Sequence, residues 1–326
     1  MGQVQPYRML WQKRKDGGAR LMRLYGAFPQ VFLPQEAGGR PLVEIAPYCF
    51  ATGGRPVGPD IKVTETGRQE GGVCLQELHT GAIEEVWLAD SITKIGRYAF
   101  YNCKNMHTLS IGAGLSDIGS DAFMNTLSFH KLTVRCGAGE KSGVRQILSQ
   151  IPSDMEVVFR SGTQIEASLL YPEYYESYDE VAPAHLFGRS ISGEGFRARQ
   201  CIRDGRVDFA GYDAVFLQAC VEEREETLSR MALGRLMYPY ALESKSREIY
   251  LQYVRGHVRD ISERFVRQRN LYGLRFLYKE KILYGTALAA CVEAAAQAGW
   301  AEGAAGLLEW MAEGRAAPTK RYDFGE

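Results

Sequence analysis

The sequence predicts an α+β protein: a short solenoid of parallel strands with a period of about 23 residues, followed by an all-α half of helical hairpins. Three observations carry that expectation. The phrase Ile-Gly-x-x-Ala-Phe occurs twice, at Ile95 to Phe100 and at Ile118 to Phe123, an offset of 23. Apolar residues recur at the same offset around it. Beyond about Val207 the apolar spacing becomes three and four, the period of a helix.

Taken in order, "RMLWQKRKDGGARLMRLYG" alternates about Asp16-Gly17-Gly18 and predicts a hairpin that caps the first repeat. On the 23-residue offset, Val86, Leu109, Leu132 and Met155 form one column, and Leu88, Ile111, Val134 and Val157 a second. Ile83, Met106 and Phe129 start a third, and every member is apolar. The segments "IEEVWL", "MHTLSI" and "FHKLTV" each end in the alternation of a strand with one buried face. Strands repeating at a short fixed period imply units that cannot cover their own apolar faces and stack to do so. In Ile-Gly-x-x-Ala-Phe, Ile is expected to fill the core and Gly to permit a tight turn. Ala-Phe is expected to place one aromatic per unit beneath a short helical turn.

The stretch "IEEVWLADSITKIGRYAFYNCKNMHTLSIGAGLSDIGSDAFMNTLSFHKLTV" resembles the BspA-like leucine-rich repeat, an L-x-x-L-x-I strand followed by V-x-x-I-G-x-x-A-F-x-x-C. "VFLPQEAGGRPLVEIAPYCFATG" from Val31 is similar to a degenerate unit with a longer connection, Ala46 standing where the family has Gly. The resemblance implies a leucine-rich-repeat solenoid, here over residues 1–160, and a role in protein contact; many relatives of this type are exported surface adhesins. Two places break the register. Residues 53–81 read as an inserted loop, and the segment after Cys136 replaces the Ile-Gly motif with a helix expected from about Ser142 to Gln150, a closing repeat.

Residues 161–206 read as an acidic, tyrosine-rich junction with Tyr171, Tyr174, Tyr175 and Tyr178 among Glu166, Glu173, Glu176, Asp179 and Glu180. It is either a recognition strip or a linker whose tyrosines pack. Residues 207–326 read as helices, including one long helix through "ESKSREIYLQYVRGHVRDISERFVRQ". They carry an echo at 31 residues that pairs Val258 with Ala289 and Leu277 with Leu308. Two stacked helix pairs account for it, and the last pair resembles an ankyrin-type hairpin, without the Thr-Pro-Leu-His of that family.

Composition narrows the function. With 45% apolar and 24% charged residues and zero net charge, the chain has no overall field to recruit nucleic acid or an acidic membrane. Seven isolated cysteines without a Cys-x-x-Cys pair read as reduced, mostly buried thiols. With no leader pattern or long apolar span in the sequence, the expected location is the cytoplasm, the alternative being the cell surface after removal of a leader. No phosphate loop, dinucleotide fingerprint, nucleophile elbow or zinc helix is present, so no catalytic residue, cofactor or metal site is assigned. His107 and His130 with Glu84 supply three candidate ligands in one column, but no fourth follows at Ser153, and a solvated pair is the expected reading. Arg247, Arg255, Arg259, Arg264 and neighbours are offset by Glu248, Asp260 and Glu263, so a solvated face is favoured over nucleic-acid binding.

The remaining candidate is the outward, concave face of the strands, expected to present Glu85, Trp87, His107, Thr108, Ser110, His130, Lys131, Thr133 and Glu156. An outward Trp flanked by Lys and Glu has the composition of a binding hot spot. The expected function is therefore non-catalytic binding of a protein partner. The alternatives are an enzyme with a cleft holding Arg197, Arg199 and Glu173 at the junction, and a helical nucleic-acid binder.

Overall fold

The computed structural model describes residues 5–53, 60–66, 74–181 and 186–316. The chain forms two compact units, Met1–Leu242 and Glu243–Glu326.

The first unit is a β-solenoid wound between two sheets. One sheet runs, in order, through Gln30–Phe32, Glu85–Trp87, Thr108–Gly112, Lys131–Arg135 and Met155–Ser161, all parallel, and is closed by the antiparallel Gln164–Tyr171. The other sheet stacks Arg40–Ile45, Lys94–Ile95 and Asp117–Ile118 in parallel. Each of the first three rungs thus spends one strand in each sheet, and the inward row Val31, Val86, Leu109, Leu132 and Val157 is at most 2% exposed.

The repeated motif has a more specific job than a tight turn. A Cβ on Gly119 would lie 2.4 Å from the amide nitrogen of Arg97, and one on Gly96 the same distance from that of Pro47. Neither glycine has a left-handed φ, so each is required because the preceding rung's backbone passes where a side chain would be. Ala46 occupies the same motif position in the first rung, where no earlier Ile-Gly turn lies beneath it. The residue two places after each motif position is instead left-handed, at Tyr48, Tyr98 and Asp121, so the motif forms turns rather than the expected helical turn. Beneath them Phe50, Phe100 and Phe123 stack at centroid spacings of 5.0 and 5.5 Å, one aromatic per rung at nearly the rung repeat.

One register expectation is corrected. Leu132 pairs with Val157 and Lys131 with Glu156, not Leu132 with Met155. The connection carrying helix Val144–Leu148 is two residues longer than the two 23-residue repeats before it. An even slip preserves which side chains face outward, so Glu156 remains on the outer face.

Both ends of the stack are plugged by a buried arginine. At the start, Tyr7–Lys13 and Ala19–Gly26 form the expected hairpin, and Arg23, 2% exposed, donates to the carbonyls of Tyr48, Cys49 and Ala51 in the first turn. Of the 53–81 run, residues 54–59 and 67–73 lie outside the described residues; Ile61–Thr66 adds a strand to this hairpin by pairing with Tyr7–Lys13. At the other end Arg199, 6% exposed, donates to the carbonyls of Leu148, Ile151, Ser153, Pro172 and Gly195 at 2.5 to 3.3 Å. These carbonyls would otherwise be orphaned at the ends of a repeat.

The acidic junction carries a β-hairpin, Tyr175–Val181 with Leu186–Ser192; residues 182–185 lie outside the described residues. Its tyrosines divide: Tyr171 is fully buried against Tyr212, and Tyr174 packs on Phe196, whereas Tyr175 and Tyr178 are exposed. The change of period near 207 marks the start of helix Phe209–Glu222. The first unit nevertheless runs on to Leu242, because Glu225–Met237 packs on strand Gln164–Tyr171. A buried Arg235–Asp213 pair, bidentate at 2.6 and 3.0 Å, ties these two helices together.

In the second unit the expected long helix is broken into Ser244–Gly256 and Val258–Arg267. His257 leaves helical geometry at φ −117°, ψ 20°, after a glycine that offers no side chain to hold the turn. Val258–Arg267 packs on Gly285–Gln297, and Leu271–Lys279 on Ala301–Ala316, so two helix pairs stack as the 31-residue echo requires. The basic residues are offset as the sequence suggests: Arg247 pairs with Glu280, Arg255 with Glu248 and Arg259 with Glu263. Among the described residues no helix is long and apolar enough to cross a membrane.

Candidate functional site: the outward face of the parallel sheet

Pairing the strands in register puts two rows of side chains on the outward face. The first is Gln30, Glu85, Thr108, Lys131 and Glu156; the second is Phe32, Trp87, Ser110, Thr133 and Val158. The rows differ in access along their length. Phe32, on the edge strand, is 50% exposed, whereas Val158 on the fifth strand is 5% exposed. Toward that end Arg230 of helix Glu225–Met237 reaches Asp154 at 3.0 Å, and Ser168 donates to Glu156 at 3.2 Å.

Of the nine candidates, Glu85, Trp87, His107, Thr108, Lys131 and Glu156 are half-buried and His130 is exposed. Ser110 and Thr133 are buried, at 0% and 7%. Arg135 is the reason for the first: its guanidinium arches back across two rungs, donating to the Ser110 hydroxyl at 2.6 Å, to Asp90 at 2.6 Å and to the Leu88 carbonyl. It thereby fills the face above Gly112. A Cβ there would come within 3.0 Å of Asp90.

Trp87 is half-buried rather than a freely exposed anchor. Its ring stacks on Phe32 at 5.5 Å and 29°, worth about 0.5–1.5 kcal/mol beyond its area burial. The indole N–H is buried without a hydrogen-bond partner. Phe32 is not among the nine candidates, although a signal exists: the degenerate first unit begins at Val31, and setting Val31 beside Val86 puts Phe32 beside Trp87.

The histidines stack as expected of residues one repeat apart, at 6.0 Å between ring centroids. Each is engaged locally, His107 with the Thr108 hydroxyl at 3.0 Å and His130 with the Ser128 carbonyl at 2.7 Å. Among the described residues no group of three His, Cys, Asp or Glu could hold a metal ion. Beyond His130 the face runs into an open hollow of roughly 490 Å³ lined by Leu127, Phe129, Asp154, Glu173 and Arg224.

The residues named for a junction cleft are each engaged by separate partners. Arg199 is committed to backbone carbonyls, and burial pulls its guanidinium down to about 10. Arg197 pairs with Glu194, while Glu173 accepts from Tyr175 and Arg224. Burial raises the carboxyls of Glu194 and Glu223 above their ordinary range. Burial also raises the Cys103 thiol to about 12 and holds Cys49 higher still.

Residues 78–142 match the family model of the BspA type leucine rich repeat region, in six copies. The matched segment comprises the second and third rungs and the strand of the fourth, and the match does not extend into the α-helices. No curated protein and no solved structure matches the chain.

Proposed function

We propose that this protein is a non-catalytic interaction module that binds a protein partner on the open end of the outward sheet face. The observation that carries the reading is the Phe32–Trp87 stack, a half-exposed aromatic step in register with Glu85, Thr108 and Lys131 on a rigid ladder. Aromatic surface of this kind gives contact area at little entropic cost, and the flanking charges select the partner. The seven free thiols, five of them buried, suit a reducing compartment such as the cytoplasm. Affinity capture from native lysate tests the reading. Wild type is run beside a Trp87→Ala, Lys131→Ala variant whose circular dichroism is unchanged. A partner enriched on wild type and lost from the variant supports it; the same captured set on both, or none on either, overturns it.

A further inference from the structure

The carboxylates bordering the outward face are not alike. Asp90 is paired with Arg135, Asp154 with Arg230, Glu156 with Lys131 and Glu173 with Arg224. Glu84 and Glu85, at the open end, have no cation within bridging distance among the described residues. Gln30 donates to Glu84 at 3.4 Å, so both acids flank the same edge of the sheet. On the same face, one alternation along the strands, stands the Phe32–Trp87 stack. Residues two apart on a strand are separated by about 6.6 Å, the span over which a single arginine side chain can lie along a ring and still reach a carboxylate.

We infer that the open end of the face takes an arginine side chain from an extended segment of the protein partner, stacked on the exposed ring of Phe32 and forked onto Glu85 and Glu84. The inference rests on the proposed binding face and specifies its ligand. Unpaired carboxylates beside an aromatic plane complement a cation. The planar guanidinium suits them better than an ammonium, because it stacks and donates two parallel hydrogen bonds at once. The same carboxylates repel phosphate, so a nucleic acid or an anionic lipid does not fit.

The test is fluorescence anisotropy with a labelled Gly-Ser peptide carrying two arginines and its twin carrying citrulline, which keeps shape and loses charge. The arginine peptide is expected to bind wild type roughly five-fold tighter or more, with an affinity that falls as salt rises. The preference should collapse to parity in a Glu84→Gln, Glu85→Gln variant, and Phe32→Ala should weaken the arginine peptide. Equal binding of the two peptides to wild type, binding of neither, or a preference that survives the double Gln variant overturns the inference. Capture of a partner that depends on Trp87 and Lys131 but is indifferent to Glu84→Gln, Glu85→Gln would leave the binding face standing and remove the arginine.

Discussion

Replacing Gly119 by Ala puts a methyl group 2.4 Å from the amide nitrogen of Arg97, 2.8 Å from its Cα and 2.8 Å from the carbonyl carbon of Gly96. All three neighbours are backbone of the preceding rung, so no side chain can swing aside. A comfortable contact requires the rungs to part by about 1 Å, in a stack whose strands sit about 4.8 Å apart. Overpacking of this kind costs about 1–3 kcal/mol. Loss of glycine's freedom in the unfolded chain offsets about 0.4–1 kcal/mol of it. The net expectation is a loss of about 1–2 kcal/mol, which lowers a urea midpoint by about half to one molar for an m-value near 2 kcal/mol/M. Gly114→Ala is the matched control: its Cβ would meet Asp90 O at 3.6 Å and Thr93 Cγ2 at 3.8 Å, ordinary contacts, so that variant is expected to be neutral or slightly stabilised. Urea unfolding followed by circular dichroism and tryptophan fluorescence compares the two. If Gly119→Ala is no less stable than Gly114→Ala, close rung approach is not the reason for the repeated glycine.

Other outcomes follow from the same structure. Trp87→Phe removes a buried, unpartnered N–H while keeping the stack, so its melting temperature is expected to match or exceed wild type, whereas Trp87→Ala, which loses the stack and a half-buried ring, is expected to lose about 1–3 kcal/mol; equal losses in both would refute this. Arg199→Ala strands five carbonyls at the end of the solenoid and is expected to cost about 3 kcal/mol or more in chemical denaturation, with Arg199→Lys intermediate because an ammonium offers fewer donors. The raised carboxyl of Glu194 holds its proton longer in the folded state than in the unfolded chain. Its stabilising contribution is therefore full below about pH 4.5 and is lost as pH rises through the higher folded value. Glu194→Gln should flatten that part of the stability–pH curve, and an unchanged slope would contradict it. Native thiol labelling at neutral pH should modify Cys74 and Cys220 and spare the five buried cysteines until denaturant is added.

How much of this was legible in the sequence depended on periodicity. Val86, Leu109 and Leu132 declare themselves because each rung solves the same burial problem, and the outward alternation of Glu85 and Trp87 follows from a strand's two faces. The slip that pairs Leu132 with Val157 was not legible, because the length of a helix-bearing connection leaves no mark on the strands it joins. Nor was the burial of Ser110. It depends on Arg135 arching across two rungs to Asp90, a contact between residues 45 apart with no local signature. Arg199 was read as a candidate for a cleft because an arginine in a glycine-rich stretch looks the same whether its guanidinium faces a substrate or a ring of carbonyls. The break at His257 was missed because the apolar spacing continues through it.

The measurement that bears most directly on the binding face is photocrosslinking in lysate with p-benzoylphenylalanine placed singly at Phe32, Thr108 and Lys131, and for comparison at Tyr98 and Met124 on the turns. One common adduct is expected from the three sheet-face positions and none from the turns. The same adduct from Tyr98 or Met124, with none from Phe32, would contradict it.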